Sequence, residues 1–304
     1  MAVLRNEFSW SKSRSDKFND CRRAYFYHYY GSWGGWDMAA DVLARELYIL
    51  KNLSGRQAWA GKVVHDTIAW VLSEYKVGTE IAFEAAVARA REVMITDYRN
   101  SNTKGYRQYP KSVGLFEHEY NINLARERWK DNYENVERCL KNFYNSAIFA
   151  SIKSTPTERW LPIEQLNQFA FEGTPVWVVI DFAMRDEDGN ILIVDWKTGK
   201  NRKAAEMIQL FCYGLFANQC WGADIGKVVC RLEYLAAPET STARMDPAGE
   251  NVVKTTLRKS IEDMRMLLRD PQLNMAMEDD FPKITNDRQC FWCNFRRVCK
   301  PHIA

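Results

Sequence analysis

Apolar positions recur at two different spacings along this chain, and the change from one to the other divides it. Through the first half they fall three or four residues apart, the period of a helix with one buried face. This predicts helices over 9–30, 38–52, 56–74, 80–99 and 119–150, with the glycine-rich Gly31–Trp36 loop and the polar, Lys/Arg/Tyr-rich Asn100–Lys111 loop as breaks. From Leu161 onward, alternating or continuous short apolar runs predict strands at 162–171, 176–184, 190–196 and 227–235. A helix carrying Gln209 and Tyr213 and another over 251–270 complete an α/β chain that ends in a cysteine-rich tail. No repeat and no low-complexity tract is present.

The chemistry gathers where two apolar runs end in acids. Val176–Ile180 is followed by Asp181, and Ile191–Val194 by Asp195, with Lys197 two residues further on. Between them Asp188-Gly189 carries a hairpin turn signal. Strand side chains alternate, so Asp195 and Lys197 share a face. Two carboxylates and one ammonium at the end of a hairpin suit a hard divalent cation, a phosphate and a water nucleophile; the plainer reading is a surface hairpin with ordinary charges. Gln209 and Tyr213 stand one helical turn apart and share a face. Glu164, on the strand before the hairpin, is a weaker candidate that could reach the metal site, but an exposed strand carboxylate reads at least as well, and it is left out of the ligand set.

Eight cysteines divide into two groups. Cys139, Cys212, Cys220 and Cys230 lie singly in apolar or helical contexts and read as small core residues. Cys21 and Cys290-x2-Cys293-x5-Cys299 form a pattern whose spacing alone suits zinc or an iron–sulfur centre equally. Arg22, Arg23, Arg296 and Arg297 flank it, as a basic surface for phosphates or as a solvated face.

These elements resemble the PD-(D/E)XK nuclease superfamily, specifically its RecB-like branch, which includes the CRISPR-associated exonucleases. Gly61-x3-His65 is similar to the branch's G-x3-H element, Asp181 and Asp195-x-Lys197 to the superfamily core, and Gln209-x3-Tyr213 to its Q-x3-Y element. Cys21 with the late cysteine trio resembles the branch's split cluster pattern. Val179 and Arg22 depart from the glycine and proline often found at those places.

The resemblance implies a restriction-endonuclease-like core, a mixed central sheet flanked by helices, with a helical insertion and an N- and C-terminal subdomain stapled by a [4Fe–4S] cluster. It implies Mg²⁺ or Mn²⁺ held by His65, Asp181, Asp195 and the Trp196 carbonyl. Lys197 would stabilise charge or orient water, Gln209 would lie near the metal or scissile strand, and Tyr213 near the DNA backbone. The expected organisation is 1–74 with the first cysteine and the histidine, 75–160 as insertion, 161–270 as nuclease core and 271–304 as iron–sulfur segment.

Composition narrows the setting. At 304 residues, 46% hydrophobic and 27% charged, the chain can bury a sizeable core, and its net charge of +3 gives no global field for nucleic acid. The start Met1–Glu7 lacks a signal-peptide layout and no apolar run approaches the roughly 20 residues of a membrane span, so a cytoplasmic location is expected. The expected function is a metal-dependent DNA nuclease, an exonuclease on single-stranded or frayed ends. Its setting would be phage or bacterial recombination, repair or CRISPR adaptation, with a partner protein from one of those systems. No G-x4-G-K-[ST] phosphate loop is present to make it a helicase fusion. The rival is a catalytically silent DNA-end-binding or assembly module, against which stand the intact His65, Asp181, Asp195 and Lys197.

Overall fold

The computed structural model describes residues 5–199 and 203–300; Met1–Leu4, part of the segment read above for a leader, lie outside them. Among the described residues no helix is long and apolar enough to cross a membrane. The chain enters through Trp10, whose backbone bridges to Val176, and turns into α1 (Lys12–Asp20). Ser11 caps α1 by accepting from the Arg14 amide at 3.1 Å. The single helix expected over 9–30 is interrupted at Cys21, which is extended at φ −164°, and resumes as α2 (Arg22–Phe26) and a π turn, Tyr27–Gly31. The Cys21 sulfur accepts from the Ala24 amide at 3.5 Å, so the cysteine caps the second helix where a continuous one would have carried it past.

After α3 (Val42–Lys51), a short parallel pair joins β1 (Leu53–Ser54) to β2 (Gly114–Leu115). Between and beyond them run α4 (Arg56–Lys76), α5 (Phe83–Asn102), the single turn α6 (Phe116–Glu119), α7 (Arg126–Tyr144) and α8 (Ala147–Ser154). The stretch expected as one helix over 119–150 is thus several. Ser146 starts α8 afresh by capping the Phe149 amide at 3.1 Å.

The hairpin β3 (Gln165–Phe171) and β4 (Thr174–Ile180) leads at Asp181 into β5 (Phe182–Arg185), which pairs antiparallel with β6 (Ile191–Lys197). The crossover helix α9 (Lys203–Trp221) returns the chain to β7 (Val228–Tyr234), parallel to β6, as a parallel pair requires. An edge strand, β8 (Glu239–Arg244), closes the order β5-β6-β7-β8; its sequence Glu-Thr-Ser-Thr-Ala-Arg carries no apolar alternation, and pattern reading misses it. Then come α10 (Pro247–Arg265), capped by Asp246, and the short α11 (Asp287–Phe291) and α12 (Arg296–Cys299).

Both faces of β6 are covered, which is why it reads as a continuous apolar run. Ile191 and Ile193 join the core built with α9 and α10, whereas Val194 and Trp196 join the core of α4, α5, α7 and α8. By the same alternation Asp195 and Lys197 face α9, and Thr198 falls on the side of α4. Gly61 on α4 meets that residue: a Cβ there would lie 2.8 Å from Thr198 Oγ1. Glycine thus sets how closely the histidine helix approaches the end of the catalytic strand. Gly61→Ala should melt near wild type, because the Thr198 hydroxyl can rotate away. Gly61→Leu should cost about 1–3 kcal/mol and lower Tm measurably, because the branched side chain must push the strand end aside.

Candidate active site

The site forms where β4 breaks. Asp181 sits between β4 and β5, and its Oδ2 accepts the Trp196 amide at 2.7 Å, taking the place of a backbone carbonyl in the ladder. That side-chain bond bends the strand and fixes one carboxylate oxygen at the edge of the sheet. His65 Nδ1, from α4, lies 3.3 Å from Asp181 Oδ2 and 3.4 Å from Glu164 Oε1. Ligand atoms of His65, Glu164 and Asp181 all fall within 4.8 Å of one another, a group able to hold a metal ion.

Glu164 was passed over in the sequence, and its geometry is distinctive. Its backbone is left-handed at φ 48°, a conformation that costs a non-glycine residue energy and tends to be kept at functional sites. Its Oε1 is buried and makes no hydrogen bond among the described residues. A signal was available: Gln165 pairs with Ile180 across the Glu172-Gly173 turn, so the next residue outward on each strand is Glu164 and Asp181. Locating that turn, with Gly173 at φ 76°, pairs the two acids.

Asp195, 2% exposed and expected as a ligand, is not one of that close group of ligand atoms and is held from the α9 side. Its Oδ1 accepts from the Tyr213 hydroxyl at 3.0 Å and from Gln209 Nε2 at 3.3 Å. Its Oδ2 lies 2.6 Å from Lys197 Nζ. Gln209 also donates to the Tyr213 hydroxyl at 2.6 Å and accepts from Lys197 Nζ at 3.1 Å. The Gln209–Tyr213 helical turn thus grips Asp195 and Lys197 together.

The electrostatics follow from burial. Burial works against the His65 cation, but Asp181, Glu164 and Asp195 outweigh it and push its pKa up. Burial and the neighbouring Asp195 push Asp181 up as well, against the pull of His65. Burial likewise opposes the Lys197 ammonium, and Asp195, Asp181 and Glu206 keep it charged. The centre thus sets three carboxylates, Glu164, Asp181 and Asp195, against the His65 and Lys197 cations, and its oxygen-rich donors with one imidazole match Mg²⁺ or Mn²⁺.

The family-model comparison decides the assignment, matching the PD-(D/E)XK nuclease superfamily over residues 9–300. The chain belongs to the PD-(D/E)XK nuclease superfamily. Comparison with curated proteins finds no match. Solved structures that match include one titled "Crystal structure of SSO0001", 16% identical over 57% of this chain and 79% of that one, at a TM-score of 0.30, too slight a likeness to add to the assignment. PD-(D/E)XK nucleases use divalent metals, and the His65–Glu164–Asp181 group offers this chain a place for one.

The other residues singled out in the sequence lie at the far ends of the chain. Cys21, Cys290, Cys293 and Cys299 all line one cavity of about 840 Å³, with Lys17, Lys283 and Trp292. Burial pushes the Cys293 thiol up to about 11, with a small contribution from nearby Cys21 and Cys299. The four arginines beside these cysteines have partners within the chain. Arg22 donates to the Phe18 carbonyl and Arg23 pairs with Glu278. Arg296 lies 4.0 Å above the Tyr120 ring, and Arg297 pairs with Glu46 and Glu119.

Glu164→Gln should weaken the divalent ion while keeping the fold, because it removes one charge from the centre and preserves the shape. Thermal melting with increasing Mn²⁺ reads this without reference to activity. The variant's rise in Tm should need higher metal concentration than that of wild type.

Proposed function

We propose that this PD-(D/E)XK protein is a metal-dependent deoxyribonuclease that acts as an exonuclease on single-stranded or frayed DNA ends. The observation that carries the reading is the pairing of the His65–Glu164–Asp181 group with Asp195 and Lys197 at one strand end. A divalent ion held by His65, Glu164, Asp181 and Asp195 supplies charge neutralisation on the phosphodiester and a more acidic bound water. The Trp196 carbonyl is a further ligand in this reading: an extended residue directs its amide and carbonyl to the same edge, and the Trp196 amide already meets Asp181.

The chain's own part in the chemistry is placement. Asp195, held by Tyr213 and Gln209, fixes Lys197 beside the metal group. The charged ammonium then meets negative charge as it builds on the phosphate, the kind of contact worth a factor of about 10²–10³ in rate. Its pKa, raised by the carboxylates around it, favours this electrostatic task over proton removal. A silent binding module would gain nothing from keeping two buried carboxylates beside a charged lysine, since desolvating them costs several kcal/mol per ion.

We also propose that Cys21, Cys290, Cys293 and Cys299 hold a [4Fe–4S] cluster. Two observations support it: all four thiols wall a single cavity, and among the described residues they form no close group of three ligand atoms. They surround a space instead of converging on a point, which suits a cluster better than a lone zinc ion. The insertion 75–160, the core 161–270 and the terminal segments 1–74 and 271–304 are then the working units. DNA contact by Arg22, Arg23, Arg296 and Arg297 belongs to the same proposal. A cytoplasmic setting and a partner from recombination, repair or CRISPR adaptation complete it.

End-labelled single- and double-stranded DNA should be degraded stepwise with Mg²⁺ or Mn²⁺ and left intact with EDTA. Lys197→Ala and Asp195→Ala should each abolish the activity; a variant cutting at near wild-type rate removes the assignment. Purified without oxygen, the protein should be brown and contain iron. Cys21→Ser should lower Tm far more than His65→Ala, because a metal centre absent from the unfolded chain contributes on the order of 10 kcal/mol to folding. Stoichiometric zinc without iron would replace the cluster by a zinc site.

A further inference from the structure

A second cavity, of about 470 Å³, opens directly beside the catalytic residues. Gln209 and Tyr213, which hold Asp195, form part of its lining. The ladder between Trp10 and β4 ends at Trp177, whose amide donates to the Trp10 carbonyl at 2.8 Å. There the chain leaves β4 for α1, and the groove lies between them. One wall is apolar, made by Trp177, Val179 and Leu166, the last two exposed to solvent. The other is polar, with Ser11, Lys12, Ser13 and the Asp16 carboxylate at the start of α1.

Trp177 is half-buried, and its ring meets no other aromatic ring among the described residues, unlike most of the large rings in this chain. It stands on β4 four residues before Asp181, which follows the strand's end, about 13 Å away at a strand's rise of ~3.3 Å per residue. The groove therefore starts at the catalytic side chains and runs outward past a free aromatic face. We propose that it seats the single DNA strand beyond the scissile phosphate, with a base stacked on Trp177 and a backbone phosphate on Ser11, Lys12 and Ser13. This rests on the nuclease reading above and adds the path of the substrate to it.

The two walls complement the two faces of a single strand. An unstacked base offers an apolar ring to Trp177 and Val179, and its phosphate offers acceptors to two hydroxyls and an ammonium. Lys12 is held by Asp16 at 2.5 Å, an i,i+4 pair at the surface that yields readily to a phosphate. Ser11 and Ser13 stand 3.1 Å apart, close enough for both hydroxyls to turn to one phosphate. Neither serine nor Lys12 belongs to the metal group, so the groove sets affinity while the metal group sets chemistry.

The test separates those two properties. With EDTA present, a fluorescein-labelled oligo(dT) should bind Trp177→Ala about tenfold more weakly than wild type by anisotropy. Trp177→Phe should keep most of the affinity, because it keeps an aromatic face. Lys12→Ala, at the surface, should lower the salt dependence of Kd by a slope of roughly 0.7, the loss of one phosphate contact to a single strand. With Mn²⁺, Trp177→Ala should raise KM for the oligonucleotide and change kcat much less. Unchanged Kd in both Trp177→Ala and Lys12→Ala overturns the groove, as does a loss that falls on kcat alone. Wild-type hydrolysis of bis(p-nitrophenyl) phosphate, which has no base to stack, tests the nuclease reading separately. An enzyme that turns it over while both variants bind oligo(dT) normally loses the groove and keeps the nuclease. A protein that hydrolyses neither substrate yet shows the predicted binding losses keeps the groove and loses the nuclease.

Discussion

Two carboxylates buried at the end of one hairpin constrain the rest of this structure. Asp181 is 6% and Asp195 2% exposed, and neither can be charged there without compensation from other parts of the chain. The compensation arrives from three directions. The Trp196 amide and His65 meet Asp181, while Lys197, Tyr213 and Gln209 meet Asp195. Each donor in turn fixes an element: His65 fixes the approach of α4, and Gln209 with Tyr213 fixes the rotation of α9. Gly61 belongs to the same logic, since the histidine can reach Asp181 only if α4 comes close to Thr198. The strained backbone of Glu164 adds a third carboxylate, beyond the two that His65 and Lys197 offset. Such an arrangement is costly without a cation and economical with one.

Much of this was legible because it depends on period. Asp195 and Lys197 share a face by strand alternation, Gln209 and Tyr213 by one helical turn, and the apolar run of β6 announced a strand. What escaped the sequence depends on register and on local exchanges of partner. The bend at Asp181 arises from one side chain accepting one amide, which no hydropathy pattern records. Glu164 needed the exact position of the Glu172-Gly173 turn, and Cys21 interrupts a helix whose composition gives no break. The strand β8 has no apolar side to reveal it, because it lies at the sheet's edge with most of its side chains in water.

The arginines show the same limit for charge. Arginine pairs next to a cysteine motif read as a phosphate surface, and the structure pairs two of those four arginines, Arg23 and Arg297, with carboxylates of its own. Arg107 and Arg297 converge on Glu46 and on Glu119, which is 1% exposed. Burial works against the Glu119 carboxylate, but Arg107, Tyr106 and Arg297 outweigh it and hold its pKa below the usual range. Arg23 meets Glu278 in a parallel contact across the chain's two ends. These pairs tie α3, the loop before α6 and the C-terminal segment together, next to the cavity walled by the four cysteines.

That internal use of charge bears on how such a protein holds a polyanion. With a net charge of only +3, the chain offers no broad field to bind phosphates, and several of its cations, Arg23, Arg107 and Arg297 among them, are paired to carboxylates of its own. Affinity must then come from contacts that work at short range, and a half-buried indole beside serine hydroxyls is such a contact. Binding by stacking is less sensitive to salt than binding by counterion release, and it is indifferent to sequence because every base has a ring to offer. It also demands an unstacked base, which a single strand or a frayed end provides and an intact duplex does not. On the proposal made above, a net charge too small to act as a broad field goes with a groove beside Gln209 and Tyr213 that takes a single strand by short-range contacts.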